Sequence, residues 1–323
     1  MNKPLVSVSI ITYNHHHFLR EAIESVLEQK VDFPYEIIIG DDCSNDGTQE
    51  IIKDYEKKYP NKIFGIYHPR RYNEIPGRTN NMTNLYACRG KYIAMLDGDD
   101  KWLSKDKLQR QVDFLEANPD YSLSFHDALV VGENNNKPYL RSEKTFPFLN
   151  EKEDYTHEDV GYDWFMPTSS LVFRNIFAQQ ELPEWFRSVI RADYALLLML
   201  SKLGKARFIK DLQCMRRINP GSFTKTVMQD LKVARQLIDE LEFYGREFPV
   251  VSNHKNYEAN QLWYRDQYLR QAILQKNFAS LRDGYRLMLR YSVVLTAKFT
   301  LRFSYRRGKK ILLNKLKKGL KVF

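Results

Sequence analysis

Acidic residues follow two apolar segments of the chain at spacings that suit a bound cation. Asp97, Asp99 and Asp100 come directly after the segment YIAML, and Asp41–Asp42 end the segment YEIIIGDD. Three carboxylates within four residues repel one another, so a strand end that gathers them loses stability unless a cation lies there. Carboxylate oxygens suit Mg²⁺ or Mn²⁺, which often take further oxygens from substrate phosphates. The pattern therefore predicts a metal site, and the alternative is a solvated acidic turn in which Asp100 caps the next helix.

A third polar group, Thr12, Tyr13 and Asn14, follows the first apolar segment of the chain. In open α/β sheets, ligands bind at the carboxyl ends of the strands, so the three groups would meet at one edge if their strands are parallel neighbours. The sequence contains no G-x-G-x-x-G, no G-x-x-x-x-G-K-[ST] and no G-x-S-x-G. These absences disfavour a dinucleotide dehydrogenase, a P-loop NTPase and an α/β-hydrolase.

The elements that must position these residues are predicted by alternating apolar patterns. Runs of β-branched residues indicate strands, and apolar residues spaced three to four apart indicate helices. The predicted strands lie at 6–13, 35–41, 63–67, 92–96 and 122–131, and the predicted helices at 18–29, 47–59 and 105–117. This alternation is typical of an α/β fold with a mostly parallel, doubly wound sheet and helices on both faces.

The second half of the chain has a different pattern. Residues 133–166 are polar and predict a long loop or insertion near a site. The elements predicted after it are a strand at 169–173 and helices at 193–203, 226–247, 255–275 and 277–292. We therefore divide the chain into a domain at 1–225, which carries the polar groups, and a helical C-terminal region at 226–323.

The net charge of +10 is concentrated at the C-terminus. Residues 298–323 contain ten Lys and Arg and no acid, so the rest of the chain is formally neutral. A nucleic-acid surface across the body of the protein is therefore disfavoured, and no nucleic-acid partner is expected. Leu and Ile at helical spacing within this basic tail predict an amphipathic helix that binds an anionic membrane surface. The alternatives are a solvated basic helix and a segment that pairs with a partner protein.

Cysteine use and hydropathy indicate the compartment. Cys43, Cys88 and Cys214 form no C-x-x-C pair and no zinc spacing, which is typical of a reducing compartment. The N-terminus lacks the apolar core of a signal peptide, and no apolar run reaches 18 residues. We expect a cytoplasmic protein that is peripheral on the inner face of the cell membrane.

Three motifs stand at 9–14 (SIITYN), 41–48 (DDCSNDGT) and 90–100 (GKYIAMLDGDD). They resemble those of the family 2 glycosyltransferases, which have a GT-A fold, and in particular a bacterial branch that acts in cell-surface polysaccharide assembly. Residues 107–127 and 167–175 also match this branch. The resemblance covers about residues 4–225. It implies a Rossmann-like, mostly parallel sheet with helices on both faces, followed here by a C-terminal helical segment.

The resemblance also implies roles for individual residues. The side chains expected to bind a nucleotide-sugar are Thr12, Tyr13, Asn14, Asp42, Arg78, Asn84, Asp97, Gly98 and Arg217. Among them, Asp42 would accept a hydrogen bond from the base, typically uracil. Asp97 would lie near the ribose and diphosphate. Asp99, with Asp97, would hold Mn²⁺ or Mg²⁺, which offsets the negative charge that develops on the leaving diphosphate.

Asp193 is the expected general base. An inverting sugar transfer needs a base because the acceptor hydroxyl is a poor nucleophile near pH 7. The family places an Asp at the start of a helix before an apolar run, and here Asp193-Tyr194 precedes ALLLML. The family often has a second acid directly before this Asp, where this sequence has Ala192. The alternative is that Asp193 only stabilises a helix N-terminus.

The resemblance implies an inverting, metal-dependent glycosyltransferase. It would move a hexosyl or N-acetylhexosaminyl group from a nucleotide-sugar, expected to be a UDP-sugar, to a hydroxyl of a cell-surface glycan or lipid-linked acceptor. The alternative is a catalytically degenerate GT-A domain that acts as a binding or scaffold subunit at the membrane. Two departures from the family pattern keep this alternative open, namely Ala192 and Asn219, which stands where the family has a His.

Overall fold

The computed structural model describes residues 3–69, 75, 77–132, 137–161, 165–178, 181–218 and 229–291. These residues form two compact units that divide near residue 220, and the short segment Phe248–His254 belongs with the first unit. The predicted basic tail at 298–323 and the predicted departure at Asn219 lie outside the described residues. The predicted division into domains at residue 225 stays a prediction.

The first unit is built on one large sheet. Its strands are β1 (Val6–Thr12), β2 (Tyr35–Asp41), β3 (Ile63–Tyr67), β4 (Tyr92–Asp97), β5 (Lys101–Trp102), β6 (Tyr121–Gly132), β7 (Tyr139–Leu140), β8 (Asp154–Tyr155), β9 (Val172–Arg174) and β10 (Lys205–Ile218). Its helices are α1 (Leu19–Leu27), α2 (Thr48–Lys58), α3 (Arg78–Ala87), α4 (Lys107–Ala117), α5 (Arg141–Lys144), α6 (His157–Val160) and α7 (Ala192–Ser201). The insertion predicted at 133–166 contains several of these short elements.

The sheet is mostly parallel, as predicted. The strand order is β3-β2-β1-β4-β9-β6-β10-β5, with β7 paired to β6 and β8 to β10. Strands β3, β2, β1 and β4 run parallel, and so do β6 and β10, whereas the short β9 is antiparallel to both β4 and β6. The central strands are buried along almost their whole length because helices cover the sheet.

Helix α3 lies unusually close to the sheet. The amide nitrogen of Asn80 donates to the Gly40 carbonyl oxygen at 2.8 Å, and that of Asn84 donates to the Ile10 carbonyl oxygen at 2.8 Å. A Cβ atom on Gly40 would lie 2.1 Å from Oδ1 of Asn80 and 2.5 Å from Oδ1 of Asn84. Glycine is required there because only its backbone lets these polar side chains reach the strands.

The second unit is helical, as predicted. Its helices are α8 (Leu231–Glu247), α10 (Tyr257–Leu274) and α11 (Phe278–Tyr291), while the short α9 (Pro249–Ser252) belongs with the first unit. Ala234, Ile238, Tyr268 and Leu287 form its buried centre. None of the helices in the described part of the chain is long and apolar enough to cross a membrane.

Lys107, at the start of α4, is a fully buried cation. Its Nζ lies 4.1 Å from the centre of the Trp102 ring and has no hydrogen-bond acceptor among the described residues. Burial lowers its pKa from 10.5 to about 7. Between these values the unfolded chain binds a proton that the folded chain lacks, so this group makes the protein more stable as the pH rises from about 7 to 10.5.

Replacing Lys107 by Met is therefore expected to raise the free energy of unfolding at pH 7 by about 1–3 kcal/mol, because a similar volume is filled without a buried amine. The advantage of Lys107→Met shrinks as the pH approaches 10. Urea unfolding of both proteins at pH 7, 8 and 9.5 measures this difference. An advantage that stays constant with pH would contradict the assignment of the titration to Lys107.

Candidate active site

The three polar groups meet at one edge of the sheet. In the strand register Thr12 lies opposite Asp41, and Ile11 lies opposite Asp97. The N–H of Asp42 donates to the Thr12 carbonyl oxygen at 3.0 Å, and the N–H of Gly98 donates to the Ile11 carbonyl oxygen at 2.9 Å. The carboxyl ends of β1, β2 and β4 therefore form one continuous rim.

Gly98 allows the acidic turn to lie directly against β1. A Cβ atom at this position would be 2.9 Å from Oγ1 of Thr12 and 3.0 Å from Nδ1 of His15. Both of these polar atoms are buried and have no hydrogen-bond partner among the described residues. The pKa of His15 is lowered because burial outweighs the nearby charge of Asp99. Unsatisfied buried polar atoms on this rim are sites where a ligand can supply the missing partner.

Asn14 ties the rim to the following loop. Its backbone is left-handed, with φ of 54°, a conformation that Asn adopts more readily than most residues. Its N–H donates to Oγ of Ser44 at 2.8 Å, and its Oδ1 accepts the N–H of Asn45 at 3.0 Å. Tyr13 is half-buried beside it. The predicted contacts of Tyr13 and Asn14 with a nucleotide stay predictions.

The two acids that follow β2 have different surroundings. Asp41 is fully buried, and its Oδ2 accepts the N–H of Ser44 at 2.9 Å and the side-chain amide of Gln49 at 2.7 Å. Asp42 is almost fully buried, and its Oδ2 accepts the N–H of Gly77 at 3.2 Å. Asp42 therefore lies between the end of β2 and the start of α3, and its predicted hydrogen bond to a base stays a prediction.

The acidic turn concentrates negative charge. Burial, followed by the charges of Asp100 and Asp99, raises the pKa of Asp97 well above its usual range. Burial and the charge of Asp99 raise the pKa of Asp100 to about 7. Oδ2 of Asp100 accepts the hydroxyl of Ser169 at 2.7 Å, and its Oδ1 accepts the N–H of Arg217 at 2.9 Å. Both oxygens of Asp100 are thus bound by the protein.

Burial and, after it, repulsion between the carboxylates raise the two pKa values, and a divalent cation fits this turn because it would offset both effects. Within the described ranges, no group of three or more His, Cys, Asp or Glu side chains is arranged to hold a metal by itself. Mg²⁺ and similar ions are commonly bound through one or two carboxylates together with substrate phosphates. Asp97 and Asp99 are the carboxylates that fit this role.

Arg217 fixes the acidic turn from the side. Its Nη1 donates to the Asp99 carbonyl oxygen at 2.7 Å, and its Nη2 donates to Oε2 of Glu21 at 2.7 Å. Lys101 donates to the same oxygen of Glu21 at 2.7 Å. The guanidinium thus links the turn to α1, and the predicted contact of Arg217 with a phosphate stays a prediction.

Asp193 is brought to the same place from a distant part of the sequence. It is the second residue of α7, its Oδ1 accepts the N–H of Tyr194 at 2.9 Å, and its Oδ2 lies 3.5 Å from the hydroxyl of Thr168. Its charge contributes to the raised pKa of Asp97. The candidate base and the acidic turn therefore interact electrostatically.

A short 3-10 turn at Thr168–Ser170 contacts both groups. The Ser169 hydroxyl accepts the N–H of Asp97 at 3.2 Å while it donates to Asp100, and the Ser169 carbonyl oxygen accepts the indole N–H of Trp102 at 2.7 Å. The family resemblance includes this segment, 167–175, but implies no role for its hydroxyls. Their contacts are made across the fold, so no local pattern identifies them.

Replacing Ser169 by Ala is expected to lower the free energy of unfolding by about 1–3 kcal/mol, since a buried carboxylate loses its hydroxyl donor. Ser252→Ala is a matched control, because among the described residues its exposed hydroxyl bonds only to the nearby Pro249 carbonyl oxygen, at 3.2 Å. Chemical unfolding at pH 8 compares the two variants. Equal, small losses in both would show that Ser169 does not support the turn.

Two residues expected to contact the donor are instead bound to the protein. Arg78 is almost fully buried, and its Nη2 donates to the carbonyl oxygens of Val189 and, at 3.0 Å, Ile190. Asn84 is fully buried and donates to the carbonyl oxygens of the strands beneath it. The predicted contacts of Arg78 and Asn84 with a donor stay predictions.

Curated relatives match 60–65% of the chain. An uncharacterized protein of Mycobacterium tuberculosis is 31% identical over 201 residues, which are 60% of this chain and 56% of the relative. An uncharacterized glycosyltransferase of Methanocaldococcus jannaschii is 41% identical over 202 residues, 60% of this chain and 67% of that protein. TuaG of Bacillus subtilis, whose name assigns it to teichuronic acid biosynthesis, is 29% identical over 225 residues, 65% of this chain and 81% of TuaG. The chain spans little more than half the length of the mycobacterial relative.

Solved glycosyltransferase structures have the same fold. A mannosyltransferase from Pyrobaculum calidifontis, in complex with GDP-Man and Mn²⁺, has a TM-score of 0.58 at 16% identity, covering 93% of this chain and 86% of that one. Residues 1–349 of S. aureus TarS, in complex with UDP-GlcNAc, have a TM-score of 0.55 at 18% identity, covering 94% and 92%. The predicted GT-A fold is confirmed. The model of the glycosyl transferase family 2 matches residues 7–178, more than half of the chain, and the protein belongs to this family.

Proposed function

We propose that the protein is an inverting, metal-dependent glycosyltransferase that moves a sugar from a UDP-sugar to a hydroxyl of a cell-surface glycan or lipid-linked acceptor. The proposed transferred group is a hexosyl or N-acetylhexosaminyl group. The observation that carries the proposal is the turn at Thr168–Ser170, where Thr168 lies 3.5 Å from the Asp193 carboxylate and Ser169 accepts the N–H of Asp97, at the rim that also holds Asp42. The donors in the similar structures, UDP-GlcNAc and GDP-Man, support a nucleotide-sugar at this rim.

The donor is held along the rim. Asp42 accepts a hydrogen bond from the base, and Thr12 supplies its buried hydroxyl beside Gly98. Asp97 and Asp99 would hold Mn²⁺ or Mg²⁺, which supplies positive charge for the leaving diphosphate. Mn²⁺ in the Pyrobaculum mannosyltransferase complex supports this choice of cation.

Asp193 accepts the proton of the acceptor hydroxyl. The N–H of Tyr194 donates to one oxygen of its carboxylate, and the hydroxyl of Thr168 lies 3.5 Å from the other, so the base is oriented for one position of the acceptor. General-base catalysis of this kind commonly contributes 10²–10⁴-fold to a rate. The oxygen of the acceptor then attacks the anomeric carbon, and the nucleoside diphosphate leaves from the opposite side.

The acceptor and the location are proposed from the name of a relative and from the charge of the C-terminal residues. The name of TuaG supports a cell-surface polysaccharide as the product of the reaction. The ten cations in residues 298–323 support attachment to anionic lipid at the inner face of the membrane. A degenerate scaffold is not favoured, because the fold brings the proposed base to the acidic turn despite the substitution at Ala192.

Thermal shift in the presence of nucleotides tests the proposal. The panel is UDP, GDP, UDP-Glc, UDP-GlcNAc and GDP-Man, each with Mn²⁺ and with EDTA. We expect uridine nucleotides to stabilise the protein with Mn²⁺ and to lose this effect in EDTA. A shift with GDP and GDP-Man alone would show that the donor carries guanine and not uracil. Absence of any shift would overturn the enzyme proposal.

A further inference from the structure

The start of α3 contacts two parts of the proposed site with adjacent residues. The N–H of Gly77 donates to Oδ2 of Asp42 at 3.2 Å. The next residue, Arg78, extends in another direction, and its Nη2 donates to the carbonyl oxygens of Val189 and Ile190. One helix end therefore contacts both the proposed base-recognition acid and the segment that precedes α7.

The contact of Arg78 is a buried one. The side chain is almost fully buried, as are Val189 and Ile190, and its guanidinium lies 5.3 Å from the centre of the Phe186 ring. Both hydrogen bonds come from Nη2, whose two N–H bonds are fixed in the plane of the guanidinium. The N–H bonds of a lysine ammonium rotate freely and define the two acceptors less well. The segment between Phe186 and Ile190 is thus held by α3 as well as by residues next to it in the sequence.

This segment determines where α7 begins. The N–H of Ala195 donates to the Arg191 carbonyl oxygen at 2.9 Å, so helical hydrogen bonding starts one residue after Ile190. Asp193 lies in this first turn. Because Asp193 is only three residues after Ile190, a shift of the Ile190 carbonyl would also move the carboxylate of Asp193.

We infer that Arg78 is a positioning residue for Asp193 and not a ligand of the donor diphosphate. The inference rests on the proposed function of Asp193 as general base. Arg78 sets the place of α7 relative to the acidic turn, and a misplacement of about 1 Å can cost about 10²-fold in rate. Other residues on the rim, and not Arg78, set the affinity for the nucleotide.

The test is a double-mutant cycle between Arg78→Lys and Asp193→Asn. The readouts are UDP release from UDP-GlcNAc with water as acceptor, the UDP and Mn²⁺ thermal shift, and amide hydrogen exchange in residues 191–195. We expect Arg78→Lys to lower kcat about 10–100-fold, with KM and the UDP shift changed less than about two-fold. In the Asp193→Asn background the same change costs less than about two-fold, because the group that it positions is already inactive.

Arg89→Lys is the matched control. The guanidinium of Arg89 also makes two hydrogen bonds, with Nε donating to Oε2 of Glu36 at 2.9 Å and Nη2 donating to the same oxygen. Glu36 lies near the beginning of β2, away from the rim. We expect this variant to change stability without a change in kcat. Hydrogen exchange at 191–195 should rise in Arg78→Lys and stay unchanged in Arg89→Lys, whether or not UDP-GlcNAc is the natural donor.

Other results separate the alternatives. Loss of the UDP shift with kcat retained would make Arg78 a diphosphate ligand and overturn the inference. Equal losses in both backgrounds, with no change in exchange at 191–195, would also overturn it. If Arg78→Lys raises exchange at 191–195 while Asp193→Asn leaves the rate intact, the positioning contact stands and the proposed function of Asp193 fails.

Discussion

Asp193→Asn is expected to lower the rate of sugar transfer by about 10²–10⁴-fold while the protein still binds its nucleotide. The amide fills the volume of the carboxylate and can still accept the N–H of Tyr194, which lies 2.9 Å away in the wild type. It cannot accept a proton from an acceptor hydroxyl. The loss should therefore appear in kcat, with KM for the donor and the UDP and Mn²⁺ thermal shift close to wild type.

A purely structural role for Asp193 predicts different effects on stability and on rate. A carboxylate that only stabilises the first turn of α7 contributes about 0.3–1 kcal/mol to folding, so Asp193→Asn would lower stability slightly and leave the rate intact. Asp54→Asn serves as the control, because its exposed carboxylate in α2 lies 4.0 Å from Arg20 in an ion pair at the surface. A rate that falls equally in both variants would show that charge in general, and not the base, is responsible.

The sheet that supports the site is predictable because its strands are buried on both faces. β1, β2 and β4 are short apolar runs whose ends carry the polar groups, so both the fold class and the rim follow from local pattern. Helix α3 escaped prediction because its buried face is polar, with Asn80 and Asn84 bound to strand carbonyls, and carries a weak apolar period.

β10 escaped prediction for a different reason. This strand is 14 residues long, but its register shifts between Phe208 and Gln213, and charged residues alternate irregularly along it. Its pairing with β6 is made between segments that are distant in sequence. The same reason applies to Ser169 and Arg78, whose roles come from contacts with Asp100 and Ile190 that only the folded chain creates.

Asp99→Asn is expected to keep or raise the stability of the protein while it lowers the rate of sugar transfer. The charge of Asp99 raises the pKa of both Asp97 and Asp100, so its removal lowers both values. The backbone of the turn should stay in place, because Arg217 donates to the Asp99 carbonyl oxygen and not to its carboxylate. The variant free of metal should therefore be as stable as the wild type or more stable, by about 0.5–2 kcal/mol.

The same substitution should reduce sugar transfer by about 10²–10³-fold and abolish the Mn²⁺-dependent part of the UDP thermal shift, since a carboxylate ligand worth several kcal/mol is lost. Asp120→Asn is the control, because this exposed acid lies directly before β6 and pairs with Lys205 at 3.2 Å. It should change neither quantity.

The pH dependence of stability gives a readout that does not depend on activity. In the wild type without metal, the pKa of Asp100 is about 7 in the folded state against 3.8 when unfolded. The folded state thus binds more protons between these values, and stability falls as the pH rises from about 4 to 7. This fall should be smaller in Asp99→Asn, and Mn²⁺ with UDP should reverse it in the wild type alone. If the stability of Asp99→Asn falls with pH as much as that of the wild type, burial alone sets the charge state of the turn. Repulsion from Asp99 would then contribute nothing, and the case for a cation there would lose its physical basis.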